Sequence, residues 1–186
     1  PKHDVPGIAL REWRAAGEDF SEFAFKIREG ARWHDGTPLT AHDVAWTFQN
    51  YKTQGAAGIR TALLEVERIE ALNDYEVYFQ LKPSDLVNRT LPFFVGRHPI
   101  HAKHYWESRD PTKTTVEPPL GSGPYKVGDF ILGRYVTYER VDDYWGKDIP
   151  VNNGRYNWDR MKFDYFRDEA IMVESLKGDV LDIRHE

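Results

Sequence analysis

The sequence predicts a mixed α/β fold in which helices pack against β-structure. Short segments of alternating apolar and polar residues, typical of strands, occur in neighbouring pairs separated by turn-forming residues. Segments with apolar residues at spacings of three and four, typical of helices, lie between those pairs. The order is not a regular β-α-β alternation. We therefore expect a mixed sheet with packed helices rather than a continuous series of βαβ units.

A strand and a turn are predicted at the start of the segment 25–50. Gly30 and the pair Asp35-Gly36 tolerate the positive φ angles of a turn, and Pro38 holds the chain extended after it. The polar side of the strand is expected to carry Ala24, Lys26 and Arg28. Its buried side is predicted to consist of the alternating residues Phe23, Phe25 and Ile27.

A helix is predicted directly after that turn. Thr40 is a suitable N-cap, and Asp43 is an acid in the first turn at the position of the capping box. Apolar residues then recur at helical spacing, which gives the helix one face to bury against a sheet. The residues of that face are Val44, Ala45, Phe48 and Tyr51.

Further elements are predicted along the middle of the chain. Residues 64–72 and 75–81 form a hairpin about Asn73-Asp74, with Tyr75, Val77, Phe79 and Leu81 on one face. Ser84 caps a short helix that Pro92 interrupts, and a second helix begins at His98-Pro99. Residues 108–119 lack periodicity and are interpreted as a surface loop and the best candidate for a linker.

The last third of the sequence predicts two strands and a helix. Residues 125–127 and 135–140 are strands joined near Gly133, and residues 152–159 form an ordered loop. Asp168 caps the helix and Gly178 ends it. The inward side of this helix is predicted to carry Ile171, Met172, Ser175 and Leu176.

Composition excludes several classes of protein. The chain has 186 residues, of which 40% are hydrophobic and 30% charged, enough for one sizeable core or two small ones. A net charge of -5 argues against nucleic-acid binding, and the absence of cysteine excludes disulfides and thiolate metal sites. No apolar run approaches the ~20 residues that span a bilayer. Because the chain begins with Pro1, we expect it to be processed or cut from something longer.

Three sequence blocks together resemble the family 5 extracellular solute-binding proteins. The second block is Gly121-Ser122-Gly123-Pro124-Tyr125, followed by residues 134–140 and Asp143-Tyr144-Trp145-Gly146, and the third, weaker block is residues 176–183. The blocks occur in the family's order, and the run 138–152 most resembles the subgroup that binds oligopeptides and peptide-like antibiotics. The first block matches the family pattern at Arg28, Gly30, Trp33, Asp35, Gly36, Pro38, Leu39, Thr40, Ala41, Asp43, Val44 and Trp46.

The resemblance implies a fold and a function. It implies part of one lobe of the type II periplasmic-binding-protein architecture, with a peripheral sheet-helix subdomain at about 20–107 and a return towards the ligand-facing lobe at 120–186. The second lobe is expected to be absent. The implied protein is not an enzyme and has no cofactor. It captures peptides or peptide-like solutes and is periplasmic, or extracellular and membrane-associated. Its implied partners are ABC permease subunits, and the full-length form is expected to be a monomer.

Four residues are candidates for contact with the ligand. In the resembling family, the loop after the first helix, near Ile59 and Arg60, lies towards the ligand-facing side. The segment from Phe93 to Arg97 does so as well. Either arginine could bind a peptide carboxylate through two parallel hydrogen bonds. The principal anchors of peptide termini in this family are expected in the second lobe.

Other constellations have a simpler structural interpretation. His98, His101 and His104 are spaced by three, but no carboxylate at matching spacing supports a metal site. The pairs His34-Asp35 and His42-Asp43 lack a nucleophile elbow, and Ser122 lies in a turn, which argues against hydrolysis. The acidic runs 65–67 and 142–143 do not have the spacing of a calcium loop.

A carbohydrate-binding or structural module without a transport role is the remaining alternative. Aromatic residues make up 14% of the chain and could provide stacking platforms for sugars. Most of the tryptophans, however, fall in a predicted helix or in the family blocks. The tryptophans in question are Trp33, Trp46, Trp106, Trp145 and Trp158.

Overall fold

The computed structural model describes residues 10–16, 21–83, 89–110 and 116–183. Strands β1 to β4 form one sheet in the order β1-β2-β4-β3, and strands β5 to β7 form another in chain order. The strands are β1 (Leu10–Ala16), β2 (Glu22–Ile27), β3 (Val66–Asn73), β4 (Glu76–Leu81), β5 (Tyr125–Ile131), β6 (Tyr135–Arg140) and β7 (Arg160–Asp164). The helices are α1 (Ala41–Gln54), α2 (Ala57–Ala62), α3 (Leu91–Arg97), α4 (Lys103–Trp106) and α5 (Glu169–Lys177).

The predicted α/β class is confirmed, and the pairing of the strands refines it. Every ladder among the described strands is antiparallel. There are thus two antiparallel sheets where the sequence suggested one mixed sheet. The reason is the connectivity, because β3 and β4, and likewise β5 and β6, are joined by tight turns that permit only antiparallel pairing. We call β1–β4 with α1–α4 the first sheet region, and β5–β7 with α5 the second sheet region.

The first sheet region contains the hydrophobic core. Four phenylalanines lie at its centre, where Phe79 stacks on Phe23 with ring centroids 5.0 Å apart. Phe25 and Phe48 meet the Phe79 ring edge to face, with centroids 6.2 and 5.6 Å away. Phe48 comes from α1, so the helix packs directly on the sheet. Each of the four rings is at most 1% exposed.

The predicted strand, turn and helix at 25–50 are confirmed. Gly30 and Gly36 have φ angles of +84° and +88°, in the left-handed region that glycine tolerates. Thr40 is the N-cap of α1, and its backbone N–H donates to the Asp43 carboxylate at 2.9 Å. The predicted face of α1 is turned to the core, although Ala24, expected on the polar side of β2, is also buried.

The turn of the β3–β4 hairpin lies one residue later than predicted. Asp74 and Tyr75 form it, and the Tyr75 N–H donates to the Asn73 side-chain oxygen at 2.8 Å. The side chain of Asn73 therefore stabilises the turn from its edge. Tyr75 was predicted on the buried face but is 45% exposed, whereas Val77, Phe79 and Leu81 are buried as expected.

The helices predicted near Pro92 and Pro99 are wrong in position. Pro92 does not interrupt a helix; it lies in the first turn of α3, where a missing N–H costs no helical hydrogen bond. His98 ends α3 as its C-cap, and the next helix begins only at Lys103. The helix predicted from Ser84 falls largely on residues 84–88, outside the described residues.

The second sheet region confirms the predicted β5–β6 hairpin and the caps of α5. Gly133 forms the turn with a φ of +70°, and the Asp168 carboxylate accepts from the N–H of Ala170 at 2.7 Å. Strand β7 was missed. The inward face predicted for α5 is wrong at Ile171, which is 59% exposed, whereas Met172, Ser175 and Leu176 are half-buried. Helical spacing shows which residues share a face, but it does not show whether anything covers that face.

Within the described ranges, no helix is both long and apolar enough to cross a bilayer.

Candidate binding clefts

Two clefts lie side by side and share Val141 and Tyr144. The first, which we call the junction cleft, has a volume of about 250 Å³ and lies between the two sheet regions. The second, the basic cleft, has a volume of about 220 Å³ and lies within the second sheet region. Residues of the first and second family blocks line the junction cleft: Arg32, Trp33, His34, Asp35, Gly36, Ser122, Gly123, Val141, Asp143, Tyr144 and Trp145.

The polar groups of the junction cleft bind one another. The Arg32 guanidinium donates to the Asp143 carboxylate at 3.0 Å and also to the Asp143 carbonyl. This hydrogen bond lowers the pKa of Asp143. The His34 N–H donates to the Gly121 carbonyl at 2.8 Å, and the His34 ring Nε2 lies 2.9 Å from the Gly123 carbonyl. The junction cleft therefore holds the two sheet regions together and has few polar groups left for a ligand.

The turn at Asp35 is connected to α4 by a hydrogen bond. Asp35 Oδ2 lies 2.8 Å from His104 Nε2, and its other oxygen accepts from the Thr37 N–H at 2.9 Å. Partial burial raises the pKa of Asp35, but the hydrogen bonds from Thr37 and His104 outweigh it and leave the pKa below its usual value. Asp35 therefore stabilises the turn as a carboxylate.

Asp43 is a buried carboxylate that joins three elements. It is 5% exposed and accepts hydrogen bonds from the Thr40 N–H at 2.9 Å and from the Lys103 N–H at 2.8 Å. A third donor, Trp33 Nε1, lies 3.4 Å away. The turn before α1, the start of α1 and the start of α4 are thus linked through one side chain.

These contacts also show where the neighbouring His-Asp pairs point. His34 binds the Gly123 carbonyl whereas Asp35 binds His104, and His42 lies 3.3 Å from Asp74 rather than beside Asp43. Each histidine and the adjacent aspartate are thus directed to different partners. The Ser122 carbonyl accepts from Trp145 Nε1 at 2.8 Å, which fixes this residue in the turn before β5.

The three histidines spaced by three residues likewise have separate partners. His98 Nδ1 lies 2.7 Å from the Phe94 carbonyl, and His101 Nε2 lies 3.3 Å from the Tyr51 hydroxyl. His104 is paired with Asp35. Among the described residues, no three histidine, aspartate or glutamate side chains are grouped so that they could hold a metal ion.

The basic cleft differs from the junction cleft in the charged side chains of its lining. Its lining includes three cationic side chains, those of Arg140, Lys147 and Arg155, and one carboxylate, that of Asp142. Arg140 is engaged by the Asp159 carboxylate at 2.5 Å, which lies outside the cleft lining. The remaining lining residues are Pro124, Val141, Tyr144, Asn152 and Tyr156.

The floor of the basic cleft is built from buried polar groups. Asn152 is 4% exposed, and its side-chain N–H donates to the Gly146 carbonyl at 2.7 Å. The Tyr156 hydroxyl donates to the Asn152 side-chain oxygen at 3.4 Å. Burial raises the pKa of Tyr144, so its phenol remains protonated and can donate a hydrogen bond.

The four predicted ligand contacts lie in α2 and α3 of the first sheet region. Ile59 is packed partly against the core, whereas Arg60 is exposed. Phe93 is 64% exposed and Arg97 is exposed in the last turn of α3. None of the four lines either cleft. Their contact with a ligand stays a prediction.

Sequence reasoning missed the residues of the basic cleft. Arg155 and Tyr156 lie in a segment interpreted only as an ordered loop, and nothing in their spacing indicates that they face Arg140 and Lys147. Residues 152–158 are rich in glycine, asparagine and aromatic residues, which is typical of a loop with a defined conformation. This composition could have indicated the loop as a candidate wall of a binding site.

Comparison with known proteins identifies the family. The family model described as "Bacterial extracellular solute-binding proteins, family 5 Middle" matches residues 5–185. The chain belongs to this family. It is 35% identical over 184 residues to the probable peptide-binding protein YejA of Agrobacterium fabrum, covering 95% of this chain and 30% of that protein. The peptidoglycan-binding protein YepA of the same organism is 34% identical over 176 residues, which cover 94% of this chain and 28% of YepA.

Solved structures share the fold of this chain. The binding protein AgaA of A. tumefaciens R10, solved in complex with agropinic acid, has a TM-score of 0.78 and 25% identity, covering 95% of this chain and 34% of AgaA. Such neighbours have the type II periplasmic-binding-protein fold, as the sequence predicted. The chain spans about 30% of the length of the curated relatives it matches.

Proposed function

We propose that the full-length protein carrying this chain is the substrate-binding component of an ABC import system and captures peptide-like solutes. The observation that carries this proposal is the family match over residues 5–185, together with 35% identity to a probable peptide-binding protein. Binding of solute would favour a closed arrangement of two lobes, which a membrane permease distinguishes from the open one.

A second candidate is a solute derived from peptidoglycan. YepA, named as a peptidoglycan-binding protein, is 34% identical to this chain, so identity alone does not separate it from the peptide-binding relative. Peptidoglycan fragments carry both sugars and short peptides. Trp158, which is 64% exposed, offers a surface on which a sugar could stack. The carbohydrate-binding or structural module without a transport role remains the alternative from another class of protein.

The proposal also covers the location, the oligomeric state, the domains and the solute contacts of the full-length protein. The protein performs no chemistry on its solute, acts in the periplasm or at the outer face of the membrane, and works as a monomer without nucleic acid. The family of extracellular solute-binding proteins and the net charge of -5 support these parts. Residues 20–107 form the peripheral subdomain and 120–186 lead to the ligand-facing lobe. Ile59, Arg60, Phe93 and Arg97 remain candidates for contact with solute.

Identification of the retained solute tests the proposal. The full-length protein would be purified without denaturation, and native mass spectrometry would detect any bound molecule. Calorimetry would then measure binding of a synthetic peptide and of a peptidoglycan-derived sugar-peptide of the mass found. We expect micromolar or tighter binding of a solute that contains amino acids and is recovered unchanged. A retained solute without any amino acid, or a chemically converted one, would contradict the proposal.

A further inference from the structure

The two clefts differ in how their charges are satisfied. In the junction cleft, the Arg32 guanidinium is bound by Asp143. In the basic cleft, the Arg140 guanidinium is bound by Asp159 at 2.5 Å and also donates to the Tyr156 carbonyl at 3.4 Å. The Arg155 guanidinium, in contrast, makes no ion pair or hydrogen bond with the residues that the structure describes.

The basic cleft also has an excess of positive charge. With the Arg140–Asp159 pair set aside, its lining carries two cations, Arg155 and Lys147, and one carboxylate, Asp142, which leaves one positive charge. The protein as a whole has a net charge of -5. A locally positive concave surface on an acidic protein attracts anions and raises their local concentration.

The walls of the basic cleft are held in place before any ligand arrives. Tyr156 has a φ of 59°, a left-handed conformation that is unusual for a bulky residue. Its ring packs edge to face against Tyr144 and Tyr125, with centroids 6.0 and 6.2 Å apart. The Tyr156 hydroxyl is directed to buried Asn152. A fixed wall lowers the entropy lost on binding, because fewer side chains must be ordered.

We propose that the basic cleft is a binding site for a carboxylate group, with Arg155 as its main ligand. A planar guanidinium matches a carboxylate through two parallel hydrogen bonds, and the protonated Tyr144 hydroxyl lines the same cleft. One excess positive charge matches a monoanion better than a phosphate dianion. The carboxylate comes either from the transported solute, which rests on the proposed function, or from a free small carboxylate.

Nuclear magnetic resonance of the 186-residue chain tests the site directly. The ¹⁵N-labelled chain is titrated at constant ionic strength with acetate, N-acetylglycine, N-acetylglycine methylamide and inorganic phosphate. We expect saturable shifts of the Arg155 Nε–H and the Tyr156 amide signals with the first two probes and none with the neutral methylamide. Shifts that do not saturate, or saturation by phosphate but not by acetate, would overturn the proposal.

Matched variants separate a specific site from general charge. R155Q is expected to weaken acetate binding at least tenfold, and Arg155→Lys to weaken it less because the charge remains while the planar fork is lost. Arg134→Gln removes an equally exposed arginine at the β5–β6 turn and should leave the affinity unchanged. Equal affinity in wild type and R155Q would refute the assignment of Arg155.

The source of the carboxylate is decided with the full-length protein. Calorimetry would compare wild type and R155Q for the retained peptide-like solute. Weaker solute binding by R155Q assigns the cleft to the solute carboxylate, whereas unchanged solute binding with loss of acetate binding assigns it to a free carboxylate. If solute binds but acetate produces no saturable shift at Arg155, this inference fails while the proposed function stands.

Discussion

The two sheet regions are stabilised in different ways. In the first sheet region, the core cluster runs from Phe23 to Ala102 and includes four stacked or edge-to-face phenylalanines. In the second sheet region, Tyr144 is the one buried apolar side chain among the described residues, and Phe163, Tyr165 and Ile171 are each more than half exposed. The comparison shows that the second sheet region depends on polar networks and on its contacts with the first.

The largest difference between the regions is expected from truncating a phenylalanine in each. Phe79→Ala should lower the free energy of unfolding by about 3–5 kcal/mol, because it leaves a cavity among three other rings. Phe163→Ala should cost only about 1 kcal/mol, since that ring is 52% exposed and packs edge to face on Tyr138. Urea unfolding monitored by circular dichroism would measure both. Equal losses of stability in the two variants would contradict the proposed difference between the two sheet regions.

The next effect concerns the buried carboxylate of the first sheet region. Asp43→Asn should lower the free energy of unfolding by about 3 kcal/mol, because the amide NH2 replaces one accepting oxygen and opposes the N–H of either Thr40 or Lys103. Asp74→Asn is the matched control, since the Asp74 side chain is 66% exposed, and we expect about 0–1 kcal/mol. Chemical denaturation of both variants would provide the values. A loss below that of the control would show that Asp43 is dispensable.

A smaller loss of stability is expected from a substitution in the junction cleft between the two sheet regions. A Cβ at Gly121 would lie 2.9 Å from the His34 ring, so Gly121→Ala should displace that ring and cost about 1–3 kcal/mol. Gly123→Ala meets nothing within 4 Å and should change stability by no more than about 0.5 kcal/mol. Hydrogen exchange would show whether the amides of β5 and β6 lose protection in Gly121→Ala. Unchanged protection there would mean that the second sheet region does not depend on the junction.

The smallest expected effect is a pH dependence of the free energy of unfolding, caused by a histidine of the first sheet region. Burial lowers the pKa of His101 below 6.5, so the folded state favours the neutral ring. The stability present above pH 6.5 is therefore lost as pH falls through the folded pKa, because the unfolded state binds the proton more readily. Unfolding midpoints at pH 7.5 and at pH 5 should differ more in wild type than in His101→Gln. The same pH dependence in both proteins would exclude His101 as the cause.

Local signals predicted β2, β3, β4 and α1 of the first sheet region, but they missed β1 and α2 and misplaced α3 and α4. They predicted the second sheet region in part. The alternation in β2 and the cap at Thr40 depend on neighbouring residues, so they could be recognised without tertiary information. Strand β7 was missed although Met161 and Phe163 alternate with charged residues, because a five-residue segment gives little local signal. Its place in the sheet is specified by its pairing with β6. The inward face of α5 was predicted from helical spacing, but spacing does not reveal what packs on a helix.

The clefts could not be predicted because their residues are far apart in the sequence. Arg32 and Asp143 are separated by 111 positions, and His34 and Gly123 by 89. The family blocks include several of these residues, but a sequence block does not indicate which residues are in contact. In the basic cleft, Arg155 and Tyr156 line the same surface as Arg140, and no sequence pattern indicates the left-handed conformation of Tyr156.

The sequence by itself determined the α/β class, the capped helix α1, the strand faces of β2 and β4, and membership of a solute-binding family. The fold class, the helix and the strand faces follow from periodicity, turn chemistry and capping, which act between residues close in the chain. Family membership was inferred from the resemblance of the three sequence blocks and is shown by the family match over residues 5–185. The tertiary structure decided the rest: within the described residues, two antiparallel sheets in place of one, a core in the first sheet region, a junction cleft whose polar groups bind one another, and a basic cleft whose Arg155 guanidinium pairs with no described residue. Those depend on contacts between distant residues, whose geometry arises only when the chain packs.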